Sequence, residues 1–365
     1  MGSDMIYPIW PAFVTQFLGA NLTILGFIDG LGEALVSISK SLSGLLSDKI
    51  RKRKVFIWTG YLMGLLSRIG YALSKSWIWL IPFKVLDRSG KIRSAPRDAL
   101  VAEVSVDTNR AKNFGLLRAM DHLGAVVGIL LSLLLFKYLG YRKLFLIAAI
   151  PTFIAVLLVI FGIKETKKDF IKVKTDFKVK YLSKDYFLFL ISSAIFSLGA
   201  FSYSFLLILS REKGYATINM PIFYLIFTIA ATLFALPSGS LSDKVGRKFV
   251  IFIGYIVWIL VCLASIYFPR GIGIIILFIL YGMHKGILEP VQKAFVSELA
   301  PEKYKASAIG LYQMIIGLCA LPASMIAGFL WDKFGLIYPF SLSILLTILS
   351  VIIVITIKEK RLSAE

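Results

Sequence analysis

Apolar residues run through this chain in blocks of about 20, each long enough to cross a hydrocarbon layer about 30 Å thick as a helix. Blocks at 3–18, 22–46, 55–74, 77–102, 113–136, 141–163, 186–209, 217–241, 249–267, 271–297, 306–330 and 335–357 predict twelve spans. The one long polar stretch, KETKKDFIKVKTDFKVKYLSKD at 164–185, is too charged and too short to fold alone, and reads as a linker. The expectation is an all-α membrane protein with twelve transmembrane helices in two pseudo-symmetric six-helix bundles, at 1–163 and 186–365, joined by that linker.

Composition agrees with the pattern. Of 365 residues, 58% are hydrophobic and 17% charged, more apolar surface than one water-soluble core can hide, which excludes an ordinary soluble enzyme. Forty-one Lys and Arg against 21 Asp and Glu leave a net charge of +20, yet these bases punctuate apolar blocks and do not form a nucleic-acid surface. Loops on the side of the termini hold 23 of them, the opposite loops hold eight, and ten lie within spans. That asymmetry places both termini and the linker in the cytoplasm of a cell-membrane protein, with lipids as neighbours and a monomer as the expected state. The start, MGSDMIYPIWP, lacks a basic n-region and a small-residue cleavage site, so no cleavable signal is expected. Cys262 and Cys319 lie in apolar runs without ligand spacing, and there is no Walker, His-Glu-x-x-His or Gly-x-Ser-x-Gly pattern. No enzyme, metal or cofactor chemistry is expected.

The chain repeats itself. SGLLSDKIRKRK at 43–54 returns as SGSLSDKVGRKF at 238–249, so that Asp48 corresponds to Asp243 at an offset of 195. The same offset aligns Glu103 with Glu298 and Gly115 with Gly310. Duplicated bundles around a central site are the architecture of alternating access, one half rocking against the other.

The second copy, with Gly239, Asp243, Gly246, Arg247 and Lys248, resembles the loop between spans two and three of the major facilitator superfamily in full, while the first has Arg51 where Gly is usual. KVLDRSGKIRSAPRDALVAE at 84–103, RAMDHLGAVVG at 118–128 and DMIYPIWPAF at 4–13 are similar to a prokaryotic branch of that superfamily. The resemblance implies a transporter and a role in conformational switching for Gly44, Asp48, Gly239, Asp243, Arg247 and Lys248. The chain departs from the family's proton-coupling signatures. Lys84, Asp87 and Arg88 stand where Arg, Gln and Gly are common in span four, and Ile129 follows Gly124 and Gly128 where Pro is common in span five.

Charges inside spans cost about 3 kcal/mol or more each and mark function or pairing. Asp29, Glu33 and Lys40 share one helical face, Lys84, Asp87, Arg88, Lys91 and Asp98 another, and Arg118, Asp121 and His122 cluster on span five. They line a hydrated cavity or pair between helices. Asp4, Asp29, Glu33 and Asp121 are the candidates for a proton-responsive group, and Arg68 and Arg118 for holding an anion, because guanidinium stays charged and binds carboxylate or phosphate bidentately. Gly44 and Gly239, four residues before their aspartates, are expected to permit close backbone approach. In the second half, His284 reads as a packed polar residue, and Trp10, Trp77, Trp79 and Trp331 as an interface belt. The expected function is secondary transport of a small polar or amphipathic solute, proton-coupled and leaning to an anionic substrate. The alternatives are a proton-driven exporter of cationic lipophilic drugs using Asp4, Asp29 or Glu33, and a non-transporting receptor or scaffold.

Overall fold

The computed structural model describes residues 1–50, 52–105, 109–163, 179–268 and 270–359, and among these there is no strand. Helix is the expected solution, since a span in hydrocarbon has no water to satisfy its backbone and must bond internally.

The first block is broken into α1 (Gly2–Ile6), α2 (Trp10–Ala12) and a π-helical turn over Phe13–Phe17. Pro8, which has no amide hydrogen, stands between the first two. Then come α3 (Leu22–Ile50) and α4 (Arg53–Leu73). The fourth block is also interrupted: a short turn at Trp77–Trp79 leads into α5 (Leu80–Ser89), a 3-10 turn at Gly90–Arg93 and α6 (Ser94–Val104). Blocks five and six run together as α7 (Arg110–Gly162), broken where Gly140 takes φ 63° and ψ −171°.

The seventh block divides into α8 (Lys184–Gly199) and α9 (Ser204–Glu212). The last five are α10 (Met220–Val245), α11 (Arg247–Tyr267), α12 (Ile272–Leu299), α13 (Lys305–Phe334) and α14 (Ile337–Thr356). Among the described residues, the first block, α4 and the fourth block are too short or too polar to stand as simple apolar spans. Of these, α4 and the fourth block carry the buried Arg53, Arg68, Lys84, Asp87 and Arg88.

The chain divides into two compact units, Met1–Lys172 with Ala216–Pro221, and Val173–Tyr215 with Ile222–Glu365. Residues 164–178, most of the expected linker, lie outside the described residues. In the first unit α1 and α4 pack on α7, and Trp10, Phe13, Tyr71 and Phe145 form an aromatic core. In the second, α8 packs on α14 and α11 on α12, around Phe196, Tyr255, Trp258 and His284.

Two expectations need correction. Trp10 and Trp331 are not interfacial: they are 2% and 6% exposed, and both indole N–H groups donate to carboxylates, of Asp29 and Glu212. Gly44 and Gly239 do not sit at close crossings. A Cβ on Gly44 would meet only the Ala95 Cβ at 3.7 Å, and one on Gly239 would meet nothing within 4 Å.

Candidate functional site

Helices α1 to α5 of the first unit converge on one buried charge cluster. Asp29 of α3 and Lys84 of α5 form an ion pair at 2.9 Å, with side chains 6% and 3% exposed. The Trp10 indole N–H donates to the same Asp29 oxygen at 2.9 Å, and the Lys84 ammonium lies 4.0 Å from the centre of the Trp10 ring. Asp29 is thus held by two donors, and Lys84 has a carboxylate beside it and a π-face against it.

One turn further along α5, Asp87 accepts from the Ser67 hydroxyl at 3.4 Å and lies 3.7 Å from the Arg88 guanidinium. Arg88 also reaches Glu33 at 3.7 Å and stacks over Tyr7 at 5.1 Å. Arg68 of α4 donates to the Gly64 carbonyl and, at 2.7 Å, to the Ser3 hydroxyl, while its buried Nε has no hydrogen-bond partner among the described residues. Glycines make room for these long cations. A Cβ on Gly32 would lie 3.0 Å from the Lys84 Cε and 3.2 Å from the Arg88 Nε, and one on Gly64 would lie 2.8 Å from the Arg68 Nη1.

Ser3, Tyr7, Trp10, Arg68, Lys84 and Asp87 line a cavity of about 10 Å³, the size of a single water. Asp29, Arg68, Lys84, Asp87 and Arg88 are all buried, so the cluster holds three positive groups against two negative ones.

Of the remaining sequence candidates, Asp4 borders the cluster on α1, and Arg118 and Asp121 lie elsewhere. Asp4 pairs with the terminal amine at 2.8 Å. Arg118 and Asp121, with side chains 57% and 44% exposed, join Arg97 and Asp98 in a separate network with contacts of 3.1 to 3.6 Å. Nothing in the apolar pattern distinguished Trp10, Tyr7, Ser3, Ser67 or Gly32 as partners of the charges, because each lies on a different face or element from the residue it serves.

Around the repeated loops, the first unit pairs Arg53 with Glu103 at 2.6 Å; the side chain of Asp48 lies outside the described residues. In the second unit Arg247 bonds Asp243 and, at 2.9 Å, Glu298. Its backbone N–H donates to Glu359, beside Gly246 at φ 102°, and Lys248 donates to the Ile355 and Ile357 carbonyls at the end of α14. Acid, base and backbone thus bind α10, α11, α12 and the end of α14 together.

The second unit's interior is polar without being charged. His284 is 1% exposed and its Nδ1 lies 3.0 Å from the Gly254 carbonyl, packed among Phe196, Trp258 and Tyr281. Among the described residues no cluster of His, Cys, Asp and Glu is arranged to hold a metal.

The profile of the Major Facilitator Superfamily matches residues 1–233 and 222–364. A protein of Methanocaldococcus jannaschii, named as an uncharacterized MFS-type transporter, is 41% identical over 340 residues, which are 91% of this chain and 85% of its own. The multi-drug resistance efflux pump PmrA of Streptococcus pneumoniae is 26% identical over 353 residues, 91% of this chain and 86% of its own. Among solved structures, a D-xylose-proton symporter superposes with a TM-score of 0.79 at 13% identity, covering 99% of this chain and 95% of its own. The nucleoside transporter NupG does so with 0.73 at 17%, covering 98% of each. At those identities the structural likeness concerns the fold alone. With the twelve helical blocks, the repeated Ser-Asp-Lys loops and a profile match over both halves, this chain belongs to the Major Facilitator Superfamily of membrane transporters, and is not an enzyme.

Proposed function

We propose that the chain moves a small polar or amphipathic solute across the cell membrane by alternating access, driven by protons, and that the solute carries an anionic group. The buried Asp29–Lys84 pair beside a water-sized, net-positive cluster carries this reading. Buried charges are held in place by their partners, and removing one partner leaves the other uncompensated at a cost of about 3–5 kcal/mol. A proton arriving on Asp29 has that effect on Lys84, so protonation and rearrangement of α3 against α5 are linked. Arg68, with one guanidinium N–H unpaired, and Arg88 supply positive charge for an anion once water or solute enters. The loops around Asp48 and Asp243 act as switches, with both termini in the cytoplasm.

The test is flux into proteoliposomes under an imposed pH gradient, with candidate solutes first chosen by thermal shift. Asp29→Asn combined with Lys84→Gln keeps the pair neutral and the fold intact, and is expected to reduce gradient-driven uptake by about 100-fold or more while leaving downhill exchange measurable. Unchanged accumulation by this double variant would sink the proton-coupling role of the pair.

A second reading, export of cationic lipophilic compounds, is favoured by the similarity to PmrA and by Glu33, whose side chain is 54% exposed. It predicts loss of efflux in Glu33→Gln and no dependence on Arg68. A membrane receptor or scaffold that kept the bundle predicts no flux with any solute.

A further inference from the structure

We propose that a groove on the second unit, between α11 and α12 at the end away from the linker, binds a phospholipid, with its anionic phosphate held between Lys213 and Arg270. The groove has a volume of about 880 Å³ and an apolar floor that includes Leu263, Ala264, Ile272 and Ile276. Lys213 and Arg270 both line it, and Tyr267 and Phe268 at its edge are each 69% exposed.

The chain brings the two bases together by a specific contact: the Tyr215 phenol donates to the Gly271 carbonyl at 3.2 Å, tying the loop after α9 to the turn before α12. That turn is tight. Gly271 has φ 57°, and a Cβ on Gly273 would lie 2.1 Å from the Phe268 carbonyl oxygen. Among the described residues neither base forms an ion pair, and the neighbouring carboxylate, Glu212, accepts from the Trp331 indole at 3.1 Å.

Charge and depth select the occupant. A glycerophospholipid places apolar chains against the spans and a phosphate at the level where the spans end, which is the order of groups along this groove. A free phosphate has no use for the apolar floor, and a soluble protein partner does not reach groups at acyl-chain depth. Such a site requires only the chain's place in a membrane and is independent of what the protein transports.

Native mass spectrometry and thermal unfolding of the purified full-length protein in detergent test the assignment. Phosphatidylglycerol, phosphatidylcholine with the same chains, and glycerol 3-phosphate are the probes. One tight phosphatidylglycerol adduct is expected, about tenfold stronger than that of phosphatidylcholine, with the preference lost in Lys213→Gln/Arg270→Gln. Ala264→Phe, which fills the floor and leaves both bases, is expected to weaken both lipids while keeping the preference for the anionic one. Arg270 is exposed and Lys213 half-buried, and their neutralisation is expected to leave the fold unchanged, checked by an unchanged unfolding temperature in lipid-free detergent. Equal binding of the two lipids, an undiminished adduct in the double variant, or stabilisation by glycerol 3-phosphate equal to that by the lipid would each overturn the proposal.

Discussion

At the scale of single residues, Trp10 connects the cluster's electrostatics to its packing. Its ring covers the Lys84 ammonium and its N–H serves Asp29, so the two contributions separate by substitution. Trp10→Phe keeps an aromatic face and removes the donor to a charged acceptor, a loss of about 1.5–3 kcal/mol. Trp10→Ala also removes a buried ring and is expected to cost about 3–5 kcal/mol. Unfolding in mixed micelles titrated with denaturing detergent should order the proteins wild type, Trp10→Phe, Trp10→Ala. Equal stability of wild type and Trp10→Phe would mean that the indole N–H contributes nothing to holding Asp29. Residue type alone predicts an interfacial place for Trp10, yet it stands midway along the 3–18 block, and the broken first span turns it inward onto Asp29.

At the scale of elements, the break in the fourth block is built by close backbone contact. A Cβ on Gly60 of α4 would lie 2.6 Å from the Gly90 carbonyl and 2.8 Å from the Arg93 Cβ, while Arg93 donates to the Gly90 carbonyl at 2.7 Å. Gly60→Ala should therefore destabilise by about 1–3 kcal/mol through overpacking. Gly310, in α13, has nothing within 4 Å of its Cβ position, and Gly310→Ala should stabilise by about 0.5–1 kcal/mol through helix propensity alone. Thermal unfolding of the two variants checks both signs. The contrast also marks what was legible in the chain. Apolar blocks of the right length announce the spans, because hydrocarbon thickness sets that length whatever the packing. The interruption at Gly90–Arg93 coincides with the charges that lower the hydropathy of the fourth block, whereas the one at 200–203 leaves no mark on it. At the latter, the Ser202 amide donates to the Ser324 hydroxyl at 3.3 Å and the Ser204 amide to the Ser202 hydroxyl at 3.2 Å, so residues remote or ordinary in sequence satisfy the freed backbone. The charge-bearing faces of α3 and α5 were likewise readable from periodicity. Which charge meets which was not, since pairing between helices depends on their crossing.

At the scale of the whole molecule, duplication reaches into the ion pairs near the repeated loops. Glu103 and Glu298 correspond at the offset of 195, and each takes a base from the start of the helix after its loop. The bases do not correspond: Arg53 matches Lys248, and Arg247 matches Lys52. The second copy has Gly246 at φ 102°, a conformation that favours glycine, where the first has Arg51; the repeat thus keeps the acid and shifts the base by one residue. The two pairs differ in burial. Arg53 and Glu103 are 8% and 11% exposed, Arg247 and Glu298 are 14% and 33% exposed, and Arg247 has Asp243 as a second acid. Removing one partner from the buried pair strands the other, so Glu103→Gln should destabilise by about 3–5 kcal/mol. Glu298→Gln, in a wetter pair with a substitute acid at hand, should cost about 1 kcal/mol or less. If the loops act as switches, the weaker pair is the one that opens within the transport cycle, so Glu298→Gln should change the rate of exchange more than it changes stability. Measuring both quantities for both variants decides this. A Glu298→Gln protein that loses stability as much as Glu103→Gln, with exchange unaltered, would make the second network a structural clamp and leave the switching role to the first unit alone.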